Sequence, residues 1–389
     1  MEYSGRFINT GLPEKNNKGR LKDLIDAAIY EQTALLKGCS LTTDMTFAAL
    51  MELRLESIDP RKKPKGEKKI RLNTFGGYQM NVNTAIVPWF RERGTMLRDL
   101  DADVINEFYN SCLMHLSGSS VHKFHVNIGS AVKFAFKKGW IKSAEAILSG
   151  LIAPKPEKYR GEFLRQSDAE ALLEAVRGHR LELSVILGAI YGLRREEIIG
   201  LRWQSIDFHA NCITIEHTVI EARVDGKRIV IPDDTTKTAS SLRTLPLMPV
   251  LRAKLLQMQA EQEKNRMLCG RSYNKADSDY INVDVLGNRI KPGYLSTAFP
   301  KFLEKHNFKR IRFHDLRHSC ASLLLANGVS LKQIQEWLGH STFKTTADIY
   351  AHLGFDSKRS TAASMAWVEN TSLGKLLIAA EDSDKEKSQ

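Results

Sequence analysis

Apolar residues recur at helical spacing through the first 140 positions, in bursts separated by polar breaks. The stretch INTGLPEKNNKGR reads as turn-rich, and a helix is expected from about Arg20. From Thr43 onward, TFAALMELRLES repeats apolar residues every three to four positions. Residues 74–140 continue the pattern. The clearest case is SVHKFHVNIGSAVKFAFKKGW, with Val121, Phe124, Ile128, Ala131 and Ala135 on one stripe and Gly139 as the stop. Its lysines, Lys123, Lys133, Lys137 and Lys138, fall mostly off that stripe. A small helical bundle buries such stripes most simply.

The pattern then changes. APKPEKYRGEF (153–163) carries two prolines and mixed charges, the composition of a linker. Just after it, Ser167 and Glu170 have capping-box spacing before an apolar helix. A helix is expected to run through YGLRREEIIGL, followed by alternating, strand-like runs at CITIEH and KRIVIP and a β-rich patch ending in SLRTLPL. From Tyr294 helical spacing returns, with a second capping box at Ser330–Gln333 and Gly328 and Gly339 as C-terminal stops. The expected boundaries are an N-terminal segment 1–42, a helical domain 43–150, a linker 151–162, a mixed α+β domain 163–372 and a tail 373–389. The apolar LGKLLIAA near the end reads either as a segment that docks on a neighbouring protomer or as a helix packed on its own domain.

The chain of 389 residues is long enough for two or three domains, and its composition is globular. The formal net charge of +12 points to a polyanionic partner. Residues 1–160 carry 25 basic against 17 acidic side chains, and residues 161–380 carry 30 against 24, so both halves share the excess. RKKPKGEKKIR (61–71) holds seven basic residues and one acid. It reads as a solvated loop or as a phosphate-tracking arm through Arg61, Lys62 and Lys63. The five cysteines, Cys39, Cys112, Cys212, Cys269 and Cys320, show no CxxC pair. That spacing argues against a disulfide framework or zinc module and for reduced thiols. With no secretion signal and no run of 18 apolar residues, a cytoplasmic protein with no membrane association is expected.

Six residues in short contexts carry the candidate chemistry: Arg194 in YGLRREE, Lys237 in TTKTASSLRTLPL, His314 and Arg317 in FHDLRHS, His340 in EWLGHST and Tyr350 in TADIYAH. Breaking a phosphodiester without a metal needs an in-line nucleophile, positive charge at the non-bridging oxygens and a proton for the leaving alkoxide. Two guanidinium forks suit the oxygens and a lysine the alkoxide; a phenol attacks once nearby cations stabilise the phenolate.

These boxes, in this order, resemble those of the tyrosine recombinase (phage-integrase) family over residues 160–355. The helical segment 43–140 resembles the family's core-binding domain. TGLPEKNNKGR is similar to the end of the arm-binding region of integrases from mobile elements of Gram-positive bacteria, although the first 42 residues are too few for a whole arm domain. The resemblance implies a multi-domain protein: a helical, SAM-like core-DNA-binding domain, then a mainly helical α+β catalytic domain, closing on DNA as a C-shaped clamp. It implies that Arg194 and Arg317 hold the scissile phosphate, Lys237 protonates the 5′-oxygen and His314 assists proton removal from the tyrosine. His340 would bond a phosphate oxygen, Tyr350 form a 3′-phosphotyrosyl link and Glu197 buttress the site. No cofactor and no metal are implied. The implied partners are double-stranded DNA, three further copies of the chain in a tetramer, and an excision factor or DNA-bending protein. Lys123, Lys133, Lys137, Arg61, Lys62 and Lys63 are the expected DNA contacts.

Other readings are weaker. His314 and His318 at i and i+4 mimic a zinc helix, but a zincin has Glu where Asp315 stands, and Arg317 lies between the two imidazoles. A DNA-binding accessory protein would not need the intact nucleophile and clamps. A type IB topoisomerase shares the chemistry but not the LGH box. A chromosome-dimer resolvase would lack the extra N-terminal residues, which favours an integrase of a phage or mobile element.

Overall fold

The computed structural model describes residues 2–3, 6–7, 45–64, 67, 69–157, 163–233 and 242–342. The helix expected from Arg20, together with Cys39, Lys237, Tyr350 and the tail 373–389, lies outside the described residues. The chain divides into two compact units. One comprises Met1–Tyr159 with Ala222–Ile229, the other Arg160–Glu221 with Val230–Gln389.

The described residues of the first unit comprise a two-residue ladder, β1 (Glu2–Tyr3) against β2 (Arg6–Phe7), a mainly helical stretch from Phe47 to Leu148 and the hairpin segment 222–229. Helix α1 (Phe47–Ile58) starts where the Thr46 side chain accepts from the Ala49 N–H at 3.2 Å. α2 (Leu72–Asn81) passes through a wide π turn at Val82–Ile86 into α3 (Val87–Glu92). Pro88, in the first turn of α3, has no N–H to give, and the wider turn before it accommodates that loss. α4 (Ala102–Leu113) is capped by Asp101, and α5 (Gly118–Lys138) by Ser117. α5 stops at Gly139 in the left-handed region, φ 71°, as the sequence indicates. A one-turn α6 (Glu145–Leu148) follows.

The expected stripe of α5 is buried, with Val121, Ile128, Ala131 and Ala135 at 0% exposure and Phe124 at 6%. It packs on an aromatic chain: Phe47–Phe90 at 4.6 Å, Phe90–Phe108 at 5.4 Å and Phe108–Phe124 at 5.9 Å between centroids, edge-on or tilted. Each such side chain contributes about 2 kcal/mol by leaving water. The segment 222–229 turns at Asp225 (φ 51°) and Gly226 (φ 74°), the Asp-Gly pair that a tight hairpin requires. Asp225 accepts from Arg61 at 2.6 Å and exchanges two hydrogen bonds with Gln79.

The second unit begins with α7 (Gln166–Ala175), whose start differs from the expected capping box. Arg165 is the extended residue before the helix, and the Leu164 N–H donates to Ser319 Oγ at 3.0 Å. That anchor fixes the helix start ahead of Ser167. α8 (Glu182–Ala189) and α9 (Arg195–Gly200) follow. They replace the single helix expected through YGLRREEIIGL, for a reason that lies in the site. Three strands, β3 (Ile206–Asp207), β4 (Cys212–Ile215) and β7 (Arg243–Pro246), form an antiparallel sheet in the order β3-β4-β7, and β5 (Thr218–Val224) pairs with β6 (Lys227–Asp233).

α10 (Pro249–Cys269) had no counterpart in the sequence reading, because only Leu251 and Leu255 of its 21 residues are buried and no apolar stripe marks it. α11 (Pro292–Lys305), α12 (Asp315–Ala326) and α13 (Leu331–Leu338) complete the unit. α13 carries the expected Ser330–Gln333 capping box and ends at Gly339, φ 66°. The core gathers α8, α9, the inward faces of β4 and β7, and α11 around Val185, Leu187, Ile198, Ile213, Phe299 and Leu316. Among the described residues no helix is long and apolar enough to cross a membrane.

Candidate active site

Between α8 and α9 the chain turns at Gly192, φ 63°. A Cβ there would stand 2.2 Å from Leu338 Cδ2 and 3.2 Å from Cys320 Sγ, so both the conformation and the space demand glycine. This turn divides the expected helix. It also leaves the Gly192 carbonyl facing Arg317 of α12, whose guanidinium donates to it and, at 2.6 Å, to the Leu338 carbonyl. Arg317 is 2% exposed.

Arg194 becomes the residue preceding α9. Its N–H donates to Glu197 Oε2 at 2.9 Å, its Nη1 to Glu197 Oε1 at 2.6 Å and its Nη2 to the Gly339 carbonyl at 3.1 Å. Glu197, 3% exposed, receives a second fork from Arg243, at 3.2 Å to Oε1 and 2.9 Å to Oε2. Burial alone would raise the pKa of this carboxyl. The Arg243 charge and hydrogen bonds, followed by Arg194 and Arg317, reverse that and hold it at about 2. Arg317 is brought down to about 9 by burial and by its neighbour Arg194.

His340 follows the αL glycine that ends α13. Its backbone is clamped to Gln335, whose carbonyl accepts from the His340 N–H and whose side-chain amide donates to the His340 carbonyl, both at 3.1 Å. Burial first, then Arg317 and Arg194, lower its pKa to about 3. His314 stands just before α12. Its side chain is open to solvent, and partial desolvation by the surrounding protein, followed by His318 and Arg317, lowers its pKa to about 4. Both imidazoles are therefore neutral near pH 7, able to accept a proton or share a hydrogen bond.

The zinc-helix geometry is put to another use. His314 and His318 meet edge to face, with centroids 5.1 Å apart. Asp315, fully buried, accepts from the Arg312 backbone N–H at 2.8 Å and from its guanidinium at 2.8 Å, pinning the start of α12. Among the described residues no group of three potential ligands is placed to hold a metal ion.

Arg194, Arg317, His314, His340 and Glu197 thus lie in one unit, on three helix ends and one turn. Lys237 and Tyr350 lie outside the described residues. Arg243 was missed by the sequence reading, although SLRTLPL contains the clue. It shares strand alternation with Leu245 and sits opposite Ile215, so its guanidinium points inward.

In the first unit, Lys133 and Lys137 line a cavity of about 600 Å³ with Arg54, His125, Ser130 and Phe134. Arg54, not singled out by the sequence, donates to Ser130 Oγ at 3.1 and 3.0 Å and lies over the Phe134 ring. Lys123 is exposed on the same helix. Of the 61–63 run, Arg61 is shared between Asp59 and Asp225, Lys62 pairs with Glu56 at 2.6 Å and Lys63 with Glu67 at 3.8 Å.

The XerC-like tyrosine recombinase of Caldanaerobacter subterraneus subsp. tengcongensis is 29% identical over 260 residues, which cover 64% of this chain and 66% of that protein. The chain thus spans just under two thirds of that relative's length. An integrase of a Staphylococcus phage is 23% identical over 337 residues, 82% of this chain and 91% of that one. In fold, the chain is similar to the Tn1549 transposon integrase solved in complex with a circular intermediate DNA, with a TM-score of 0.64 at 18% identity over 83% of this chain and 100% of the other. A profile of the phage integrase family matches residues 162–356, half of the sequence. The chain belongs to the phage integrase family.

Proposed function

We propose that the protein is a site-specific DNA recombinase, an integrase that cuts and rejoins DNA for the integration and excision of a phage or mobile element. One observation carries this reading. Arg194 and Arg243 bond the single carboxylate of Glu197 and the charge of Arg317 stands nearby, which leaves a surplus of two positive charges beside two neutral imidazoles. A phosphodiester with a developing phenolate is the anion that such a surplus stabilises.

Arg194 and Arg317 clamp the non-bridging oxygens, and His340 adds a hydrogen bond. His314 accepts the phenol proton of Tyr350, whose oxygen attacks phosphorus. The P–O5′ bond breaks as Lys237 protonates the leaving 5′-oxygen, and the 3′-phosphotyrosyl ester conserves the bond for rejoining. In this reading the helical unit is a core-DNA-binding domain. Lys123, Lys133 and Lys137 track phosphates, while Arg61, Lys62 and Lys63 reach DNA only by giving up their present ion pairs. Four copies exchange strands in pairs through a four-way junction, with an excision factor or DNA-bending protein setting direction.

A nicked suicide substrate taken from DNA flanking the gene tests the reading. Wild type should leave a detergent-stable protein–DNA adduct in EDTA, and Tyr350→Phe none. Tight specific binding without an adduct would favour the accessory-protein alternative.

A further inference from the structure

Three consecutive carbonyls at the end of α13 each receive one guanidinium. Trp337 accepts from Arg243 Nε at 3.0 Å, Leu338 from Arg317 at 2.6 Å and Gly339 from Arg194 at 3.1 Å. A helix C-terminus presents unsatisfied carbonyls and the negative end of its dipole, so cations there are held well. His340 is the next residue. Two of the three guanidiniums belong to the phosphate clamp already described. The third, Arg243, has no assigned part, yet like Arg194 it bonds both the carboxylate and the helix end, and it alone of the three meets both Glu197 oxygens through its two terminal nitrogens.

We infer that Arg243 is a positioning residue for the reaction: it fixes Glu197 with one edge of its guanidinium and the end of α13 with its Nε, and so sets Arg194 and His340 at their working geometry. The inference rests on the recombinase reading above for what that geometry serves. Its planar fork is the reason a lysine would not substitute. Both Glu197 oxygens and the Trp337 carbonyl are met by one rigid group, whereas an ammonium offers a point charge. The residue is 9% exposed and takes an inward position of β7, opposite Ile215. Its side chain therefore enters the site from the sheet, a different element from those carrying Arg194, Arg317 and His340. Without it, Glu197 keeps the Arg194 side chain but the end of α13 loses one of its three supports. A shift of about 1 Å at a phosphate clamp is enough to slow chemistry by about 100-fold.

Two measurements on the full-length chain test this. The first compares single-turnover covalent cleavage by wild type, Arg243→Lys and Arg243→Met on nicked DNA, with a natural or an uncharged methylphosphonate scissile linkage. On the natural phosphate the Met variant should be slower by about 100-fold and the Lys variant by about tenfold, with DNA binding little changed. On the neutral linkage, which no longer calls for aligned positive charge, both gaps should narrow. The same gap on both linkages, or no gap, would overturn the inference. If the Met variant does not fold, the Lys variant decides by the same comparison.

The second measurement needs no activity: the titration of His340 by NMR in DNA-free protein labelled at histidine. Arg243→Lys keeps the charge and loses the fork, so a rise of the His340 pKa toward 6.5 reports displacement of the ring from its present surroundings; an unchanged titration overturns the inference. An absent wild-type adduct would count against the recombinase reading, and the DNA-free titration would still judge Arg243.

Discussion

Arg243 donates its two terminal nitrogens to the two carboxylate oxygens of Glu197, at 3.2 and 2.9 Å, and both side chains are more than nine-tenths buried. Arg194 shares the same carboxylate at 2.6 Å. One negative charge therefore holds together a cluster of positive ones that would otherwise repel, so its removal should be felt well beyond a single lost pair.

Glu197→Gln keeps the shape and removes the charge. The buried guanidiniums would then lack their counter-ion, and breaking a buried pair in this way costs about 3–5 kcal/mol. Urea unfolding should show a loss of that size. A loss under about 1 kcal/mol would mean that solvent or an anion already shields the arginines.

Gly192→Ala adds one methyl group where Leu338 Cδ2 stands 2.2 Å away and where φ is 63°. Backbone strain of about 1 kcal/mol and overpacking of about 1–3 kcal/mol combine. Because the Gly192 carbonyl and Leu338 carbonyl are the two acceptors of Arg317, cleavage should fall more than stability accounts for. A variant with normal melting temperature and normal cleavage would contradict the tight packing described.

Stability should fall on the acid side in two stages. His340 and His314 are held near 3 and 4 in the folded chain against an ordinary 6.5. As pH drops below 6.5 the unfolded chain takes up these protons first, so folding weakens from there down to about 3. Glu197, near 2 against an ordinary 4.5, adds a second loss as pH falls from 4.5 toward 2. His340 and Glu197, both buried, can each contribute up to about 1.4 kcal/mol per pH unit, whereas the exposed His314 contributes less because solvent screens its charge. Melting temperature from pH 8 to 3 should be flat at first and then decline. In His340→Asn the decline below 6.5 should be shallower, and an identical profile would show that the imidazole is not protected.

DNA affinity should drop steeply with salt, and Lys133→Ala and Lys137→Ala should each reduce the log–log slope by about 1 without changing sequence preference. Both side chains line the basic cavity beside Arg54. A slope unchanged in the double variant would place the phosphate path elsewhere on the helical unit.

Much of the local structure was legible because it depends on neighbours in sequence. The α5 stripe, the Gly139 and Gly339 stops and the Ser330–Gln333 box each follow from side chains within a turn or two of one another. α10 was not legible, since a mostly exposed helix leaves no apolar signature over its 21 residues. The box at Ser167 failed because Ser319, 155 positions away, fixes the backbone at Leu164 and moves the helix start.

The sequence by itself determined the chemical inventory: two arginines, two imidazoles and a glutamate, in ordered boxes whose residue types already limit the chemistry. Tertiary structure alone decided how they meet. Leu338 leaves no room for a side chain at Gly192, and that close approach breaks the expected helix and turns Arg194 toward Glu197. Strand register against Ile215 sends Arg243 inward to the same carboxylate. The end of α13 offers three carbonyls to three arginines from three elements. Each of these depends on a contact between residues far apart in the chain, where packing and buried charge, rather than local propensity, set the free energy.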